Sequence, residues 1–106
     1  MSYPTRIEDR FTILELTGEI DLQCSPKVRK QVLECIQAYH NLLVDLAAVD
    51  YIDSSGVATL VEGYQMAKKR KLEFGLLSVS RAAMQVLELA RLDQVFPIFE
   101  SFEAVK

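Results

Sequence analysis

The chain has 106 residues, half of them hydrophobic and a quarter charged, which is typical of one globular domain that buries a core of its own. Its net charge of −3 argues against nucleic-acid binding, because no surplus of basic residues is available to neutralise phosphates. The apolar runs fall far short of the ~20 residues that cross a bilayer, and the polar Met1–Arg10 segment does not resemble a signal peptide. These features predict a cytoplasmic protein.

The cysteines and the histidine do not predict a metal site. Cys24 and Cys35 stand eleven positions apart, a spacing that matches no zinc motif, and His40 is the single histidine. Two reduced thiols are the expected state in a cytoplasmic protein. We therefore expect neither a metal nor a cofactor.

The first forty residues predict two strands and a helix. Arg6–Arg10 is interpreted as a first strand with a hairpin turn near its end, and Phe11–Leu16 as a second strand that Thr17–Glu19 breaks. Ser25 is the predicted N-cap of the helix, with Pro26 at its first position. One apolar face follows at helical spacing, formed by Val28, Val32, Cys35, Ile36 and Tyr39.

The remaining sequence continues as strands alternating with helices. After Asn41, the run Leu42–Leu46 predicts a buried strand, and Val57–Arg70 predicts an amphipathic helix. The cations Lys68–Lys71 suit the C-terminal dipole of that helix, with binding of an acidic partner as the alternative. The last predicted elements are a strand over Leu72–Val79, a helix capped by Ser80, an edge strand over Val95–Phe99 that contains Pro97, and a helical turn in Glu100–Lys106.

This order of elements, β-β-α-β-α-β-α-β, predicts an α/β fold with a mainly parallel or mixed sheet. Sites for ligands and partners gather at the carboxyl ends of parallel strands. Two acidic segments are expected at that edge, Gly18–Asp21 and Asp53–Gly56. The topology predicts that they lie close together.

The turn Asp53–Gly56 places two hydroxyls and a carboxylate at a predicted helix N-terminus, where unpaired N–H groups favour negative charge. A serine there is a cap, a nucleophile or a phosphate acceptor. Three residues that can cap a helix stand in a row where one suffices. The helix then begins without charged side chains, and both features favour a docking surface over a simple cap.

An enzyme is not expected. A serine nucleophile needs a base, and His40 is predicted at the opposite end of the preceding strand. Catalysis by a carboxylate pair, Asp21 and Asp53, is conceivable, but the sequence predicts no pocket to orient a substrate. A phosphate-cradling loop with its lysine is also missing from the sequence.

Three segments resemble motifs of the STAS domain family, and in particular of the bacterial anti-sigma-factor antagonists. They are Leu16–Asp21, Leu43–Val57 with its Asp53-Ser54-Ser55-Gly56 core, and Leu92–Ile98. The resemblance implies a single STAS domain over residues 1–106. It also implies a mixed sheet of four to five strands with helices packed mainly on one side. Val57 stands where the family usually has leucine, a difference that bears on which partner fits.

The resemblance also implies a function. Members of this kind bind an anti-sigma factor that is also a serine kinase of the GHKL type, and so release a sigma factor. The kinase phosphorylates the serine that corresponds to Ser54, which ends binding, and a serine phosphatase restores it. The implied partner surface comprises Asp21, Asp53, Ser55, Gly56 and Val57. The alternatives are a constitutive STAS subunit, for example of a lipid-transport ABC transporter, and a ligand-sensing module.

Overall fold

The computed structural model describes residues 3–105; Met1, Ser2 and Lys106, which belong to the predicted terminal segments, lie outside the described residues. The predicted order of elements is confirmed. The elements are β1 (Thr5–Glu8), β2 (Phe11–Ile20), α1 (Ser25–Gln37), β3 (Asn41–Ile52), α2 (Ser54–Lys69), β4 (Phe74–Leu77), α3 (Arg81–Leu89), β5 (Ile98–Phe99) and a 3₁₀ turn (Phe102–Ala104).

The strands form one mixed sheet in the order β1-β2-β3-β4-β5. The β1–β2 hairpin is antiparallel, and the other three pairings are parallel. β2 and β3 pair from Phe11 beside Asn41 to Ile20 beside Ile52, whereas β4 pairs only with the first part of β3, up to Asp45. The carboxyl halves of β2 and β3 therefore extend beyond the rest of the sheet.

All three helices pack on one face of the sheet, as predicted. Their apolar residues join those of the strands in one buried cluster, represented by Val32 of α1, Leu60 of α2 and Leu87 of α3. The other face carries a smaller buried cluster of Phe11, Ile13, Leu43 and Leu77, which the C-terminal segment covers with Phe99, Phe102 and Val105.

The predicted break at Thr17–Glu19 is wrong, because β2 continues to Ile20. The pairing register with β3 shifts on either side of Thr17 and Gly18, and Gly18 takes a φ of +75°. A glycine absorbs such an irregularity without ending the strand, since it lacks a Cβ. Of the predicted acidic loop, only Asp21 lies beyond the strand.

The predicted cap of α1 is also wrong. Cys24 occupies the N-cap position without a side-chain capping bond in the described part of the chain, and Ser25 is the first helical residue. The carboxylate of Asp21 instead holds the turn that precedes the helix, by accepting from the backbone N–H groups of Gln23 and Cys24 at 3.0 and 3.2 Å. By contrast, Ser80 caps α3 as predicted, accepting from the Ala83 N–H at 3.2 Å.

The three helices end in the same way. A residue with positive φ follows each helix, namely Tyr39, Lys71 and Arg91, with φ values of 63°, 60° and 60°. In each case the next N–H reaches back to a carbonyl five residues earlier: His40 to Cys35, Leu72 to Ala67 and Leu92 to Leu87, at 2.8–3.0 Å. This pattern is the Schellman motif, which usually has glycine at the left-handed position.

The strands differ in length from the predictions. β3 spans twelve residues instead of five because it stays paired with β2 to the end. β4 is shorter than predicted because its pairing with β3 ends at Leu77, and the next residue, Ser78, takes a φ of 54°. β5 lies at the edge of the sheet, as the proline predicted.

Candidate functional site

Asp53 caps α2 and organises the turn at the carboxyl end of β3. Its Oδ1 accepts from the backbone N–H of Ser55 at 3.0 Å and from that of Gly56 at 3.1 Å. These are two of the N–H groups that an α-helix leaves unpaired at its start. The capping role that the sequence left open among three residues therefore belongs to Asp53.

The two serines of the turn are in different environments. The Oγ of Ser55 donates to Asp53 Oδ1 at 2.5 Å, and Ser55 is partly buried. Ser54, the first residue of α2, is exposed, and its hydroxyl makes no hydrogen bond within residues 3–105. Ser54 therefore presents a solvent-accessible hydroxyl at a helix N-terminus.

Gly56 allows the start of α2 to approach the ends of β2 and β3. A Cβ at this position would lie 2.7 Å from Ile52 Cγ1 and 2.9 Å from the carbonyl oxygen of Ile20. Both distances are shorter than real Cβ contacts, so a side chain would push the helix away from the sheet. The glycine thus fixes the position of the neighbouring serines.

The loop that carries Asp21 is adjacent to this turn, as the topology predicted. The backbone N–H of Asp53 donates to the Ile20 carbonyl at 3.2 Å, and Ile20 pairs with Ile52 in the sheet. Asp21 itself is half-buried, because its carboxylate holds the start of α1. The two acidic segments therefore form one continuous edge above β2 and β3.

Hydrogen bonds keep Asp53 ionised. The hydroxyl of Ser55 is the main cause that lowers the pKa of the Asp53 carboxyl; desolvation opposes it, and the backbone N–H groups of Gly56, Ser55 and Leu22 lower the pKa further. A fixed negative charge consequently lies next to the free hydroxyl of Ser54.

Two of the predicted partner-contacting residues have little surface to offer. Gly56 is buried, and Val57 is 8% exposed because it packs in the main core. We assign both to positioning the turn, since neither side chain can contact a partner extensively. The predicted role of the turn as a whole in partner binding stays a prediction.

Two exposed apolar residues at this edge were not singled out from the sequence. Leu22 follows Asp21 and is 72% exposed, and Tyr51 of β3 is 50% exposed. Such residues suit protein contacts, because they combine apolar area with accessibility. Leu22 gave no signal in the sequence, and Tyr51 lies in the Leu43–Val57 motif but beyond the predicted strand Leu42–Leu46.

Residues considered for other chemistry lie elsewhere. His40 precedes β3 and bonds through Nδ1 to Thr12 Oγ1 at 2.8 Å, at the opposite end of the strand from Asp53. Cys24 and Cys35, both within the described range, are free thiols. No cluster of three potential metal ligands occurs among residues 3–105, and none of the helices in that range has the length and apolarity to span a bilayer.

Comparison with known proteins identifies the family. The STAS domain profile matches residues 2–105. A curated relative, the anti-sigma-B factor antagonist of Listeria monocytogenes, is 31% identical over 85 residues, which cover 78% of this chain and 74% of the relative.

Solved structures share the fold. An anti-sigma-factor antagonist (STAS) domain protein from Planctomyces limnophilus superposes with a TM-score of 0.85 at 22% identity, covering 95% of this chain and 92% of the other. The Bacillus cell fate determinant SpoIIAA in its phosphorylated form gives a TM-score of 0.75 at 18% identity, covering 98% and 96%. On its sequence, the chain belongs to the STAS domain family, with curated relatives that are anti-sigma factor antagonists.

Proposed function

We propose that this protein is an anti-sigma-factor antagonist controlled by phosphorylation of Ser54. In its unmodified form it binds an anti-sigma factor that is also a GHKL-type serine kinase, and the sigma factor is released. The kinase then phosphorylates Ser54 and the complex dissociates. A serine phosphatase restores the binding form. This cycle operates in the cytoplasm and involves neither direct nucleic-acid contact nor catalysis by this chain.

The observation that carries this proposal is the accessible hydroxyl of Ser54, which has no hydrogen-bond partner among residues 3–105. Asp53 already caps α2, and Ser55 is bound to Asp53, so Ser54 has no structural role that would explain a serine at this position. A kinase needs a hydroxyl that is reachable and free to be oriented. The name of the Listeria relative supports the proposed role as an antagonist, and the structure of a phosphorylated SpoIIAA supports control by phosphorylation.

The charge introduced at Ser54 is compatible with the fold and incompatible with the complex. A phosphoserine adds about −1.5 to −2 charge at neutral pH. At a helix N-terminus, negative charge stabilises the helix by ~0.3–1 kcal/mol, because it interacts favourably with the helix dipole. At an interface, by contrast, burying this charge without an opposite charge to pair with it costs several kcal/mol of desolvation, and ~3 kcal/mol is already about a hundredfold in affinity. Ionised Asp53 is a second negative charge that would be buried beside the phosphate, which increases this cost, so phosphorylation weakens binding without unfolding the domain.

Ser54→Asp and Ser54→Asn form a matched pair that tests the switch, because the two side chains have the same shape and differ in charge. We expect Ser54→Asp to bind the host's GHKL-type anti-sigma factor at least about tenfold more weakly than Ser54→Asn. Calorimetric titration measures both affinities, and thermal unfolding shows that both variants are folded.

The kinase step has its own readout. Intact-mass analysis after incubation with the partner and ATP should show one added phosphate on the wild type and on Ser55→Ala, and none on Ser54→Ala. Equal binding by Ser54→Asp and Ser54→Asn, together with an unmodified wild type, would contradict the switch. That outcome would favour the constitutive STAS subunit instead.

A further inference from the structure

A cavity of about 270 Å³ lies at the end of the sheet opposite Ser54. It is bounded by the last turns of α2, the amino ends of β2, β3 and β4, and the C-terminal segment. Four of its lining residues are aromatic: Phe11, Tyr64, Phe74 and Phe99. Since α2 has 16 residues and rises ~1.5 Å per residue, roughly 24 Å separates its two ends. The cavity is therefore distinct from the edge that carries Ser54.

Gly75 lines the cavity, and the side chains of Phe99 and Leu43 occupy the space into which its own side chain would point. A Cβ there would lie 3.0 Å from Phe99 Cε2 and 3.2 Å from Leu43 Cδ2. Small-molecule pockets usually hold about 300–1,000 Å³, so this one suits a ligand of one or two rings. Tyr64 and Phe74 already meet edge to face, with centroids 6.0 Å apart, an arrangement that an additional ring can join.

The charges at the cavity favour a monoanion. Glu73 is neutralised by Arg10, whose Nε and Nη2 donate to its two carboxylate oxygens at 2.8 and 3.3 Å. Lys68 is exposed, has no carboxylate within ion-pair distance among the described residues, and places Nζ 5.4 Å from the Tyr64 ring centroid. Lys68 is therefore the one cation of the cavity lining, and it has no carboxylate partner among the described residues, so a ligand with a single negative charge suits it.

We propose that this cavity binds a small aromatic monocarboxylate, with its ring against Tyr64 and Phe74 and its carboxylate at Lys68. The proposal is independent of the function of Ser54, because it depends on different residues at the other end of α2.

Titration of the full ¹⁵N-labelled chain with 2-naphthoate, followed by amide chemical shifts, tests the site. We expect saturable shifts in Leu72–Gly75 and in the last turn of α2, and none in Asp53–Gly56. Lys68→Gln should weaken 2-naphthoate binding about fivefold, as expected for loss of one accessible ion pair. The neutral analogue 2-naphthylmethanol should bind the wild type and Lys68→Gln equally.

Lys69→Gln is the matched control, because it removes the same charge from the adjacent exposed position, outside the cavity lining. It should leave the affinity for 2-naphthoate unchanged. If the two variants weakened 2-naphthoate binding equally, the role of Lys68 would be overturned, because the weakening would then come from the change in net charge alone. The site itself would be overturned by saturable shifts confined to other residues. It would also be overturned if binding did not saturate up to about 5 mM 2-naphthoate, a concentration that corresponds to very weak binding.

Discussion

Three consecutive residues at the start of α2 have three separate roles. Asp53 ends the strand, caps the helix and carries a fixed charge, Ser55 holds that carboxylate in place, and Ser54 between them is left exposed. Because Asp53 already caps the helix and Ser55 is bound to Asp53, the hydroxyl of Ser54 remains reachable. The division of roles depends on side-chain direction, which the tetrapeptide sequence alone does not specify.

Asp53→Ala is expected to destabilise the protein, because two backbone N–H groups and the Ser55 hydroxyl lose their acceptor. Loss of an N-cap in a domain of this size should lower the melting temperature by about 4–8 °C. Asp53→Asn keeps an acceptor oxygen and should lower it by less than half as much. Circular dichroism during thermal unfolding measures both. An unchanged melting temperature for Asp53→Ala would show that the capping bonds add nothing to stability.

At the scale of elements, local chemistry marked two of the three helix starts and, through the cations Lys68–Lys71, the end of α2. Serine at residue 80 and the polar turn before α2 marked two helix starts. All three Schellman ends place tyrosine, lysine or arginine at the left-handed position, so the glycine that normally reveals a helix end is missing.

The left-handed conformation of Lys71 strains the backbone, because a residue with a Cβ rarely adopts positive φ, and this predicts a stabilising substitution. Lys71→Gly should raise the free energy of unfolding by about 0.5–1 kcal/mol, because glycine adopts positive φ without a Cβ clash. Lys71→Ala is the matched control, since it removes the same side chain and keeps the strain. Urea unfolding curves measure the difference. If Lys71→Gly were no more stable than Lys71→Ala, the left-handed conformation would carry no strain.

The strands show a similar limit of prediction. The order of the elements along the chain, the edge position of β5 and the location of the serine turn all follow from hydrophobic runs and breakers. The continuation of β2 through Gly18 does not follow from the sequence, because a glycine usually marks a turn. The strand continues through this glycine because it stays paired with β3. The burial of Gly56 likewise depends on Ile20, a residue far away in sequence.

On the scale of the whole molecule, several carboxylates are bound in the folded state. Arg29 forms two 2.8 Å hydrogen bonds to Glu62 and so links α1 to α2, while Arg10 pairs with Glu73. These arginines lower the pKa of Glu62 and of Glu73, as the Ser55 hydroxyl and neighbouring N–H groups do for Asp53. Burial raises the pKa of the Cys35 thiol.

These shifts predict that stability depends on pH at both extremes. A carboxyl with a lowered folded-state pKa stabilises above its unfolded pKa of ~4, and this stabilisation is lost as the pH falls through the folded value. A thiol with a raised pKa stabilises below its unfolded pKa of ~8.5, and this is lost as the pH rises. Melting temperatures measured across pH should therefore decline below about pH 4 and above about pH 9.

Glu62→Gln is the control for the acid limb of this profile. It removes one titrating carboxyl, so the decline below about pH 4 should be shallower than in the wild type. The effect should be modest, because the pair is largely exposed and water screens it. An identical acid limb in the variant would show that the Arg29–Glu62 pair does not contribute to it.

The pairing of β2 with β3 up to their last residues has a consequence for association. Ile20 and Ile52 are neighbours in the sheet, and the chain continues from one into the Asp21 loop and from the other into the Asp53 turn. These two turns cannot separate unless the strands come apart. An incoming protein consequently meets a surface whose shape exists beforehand, and little conformational entropy is lost when it docks.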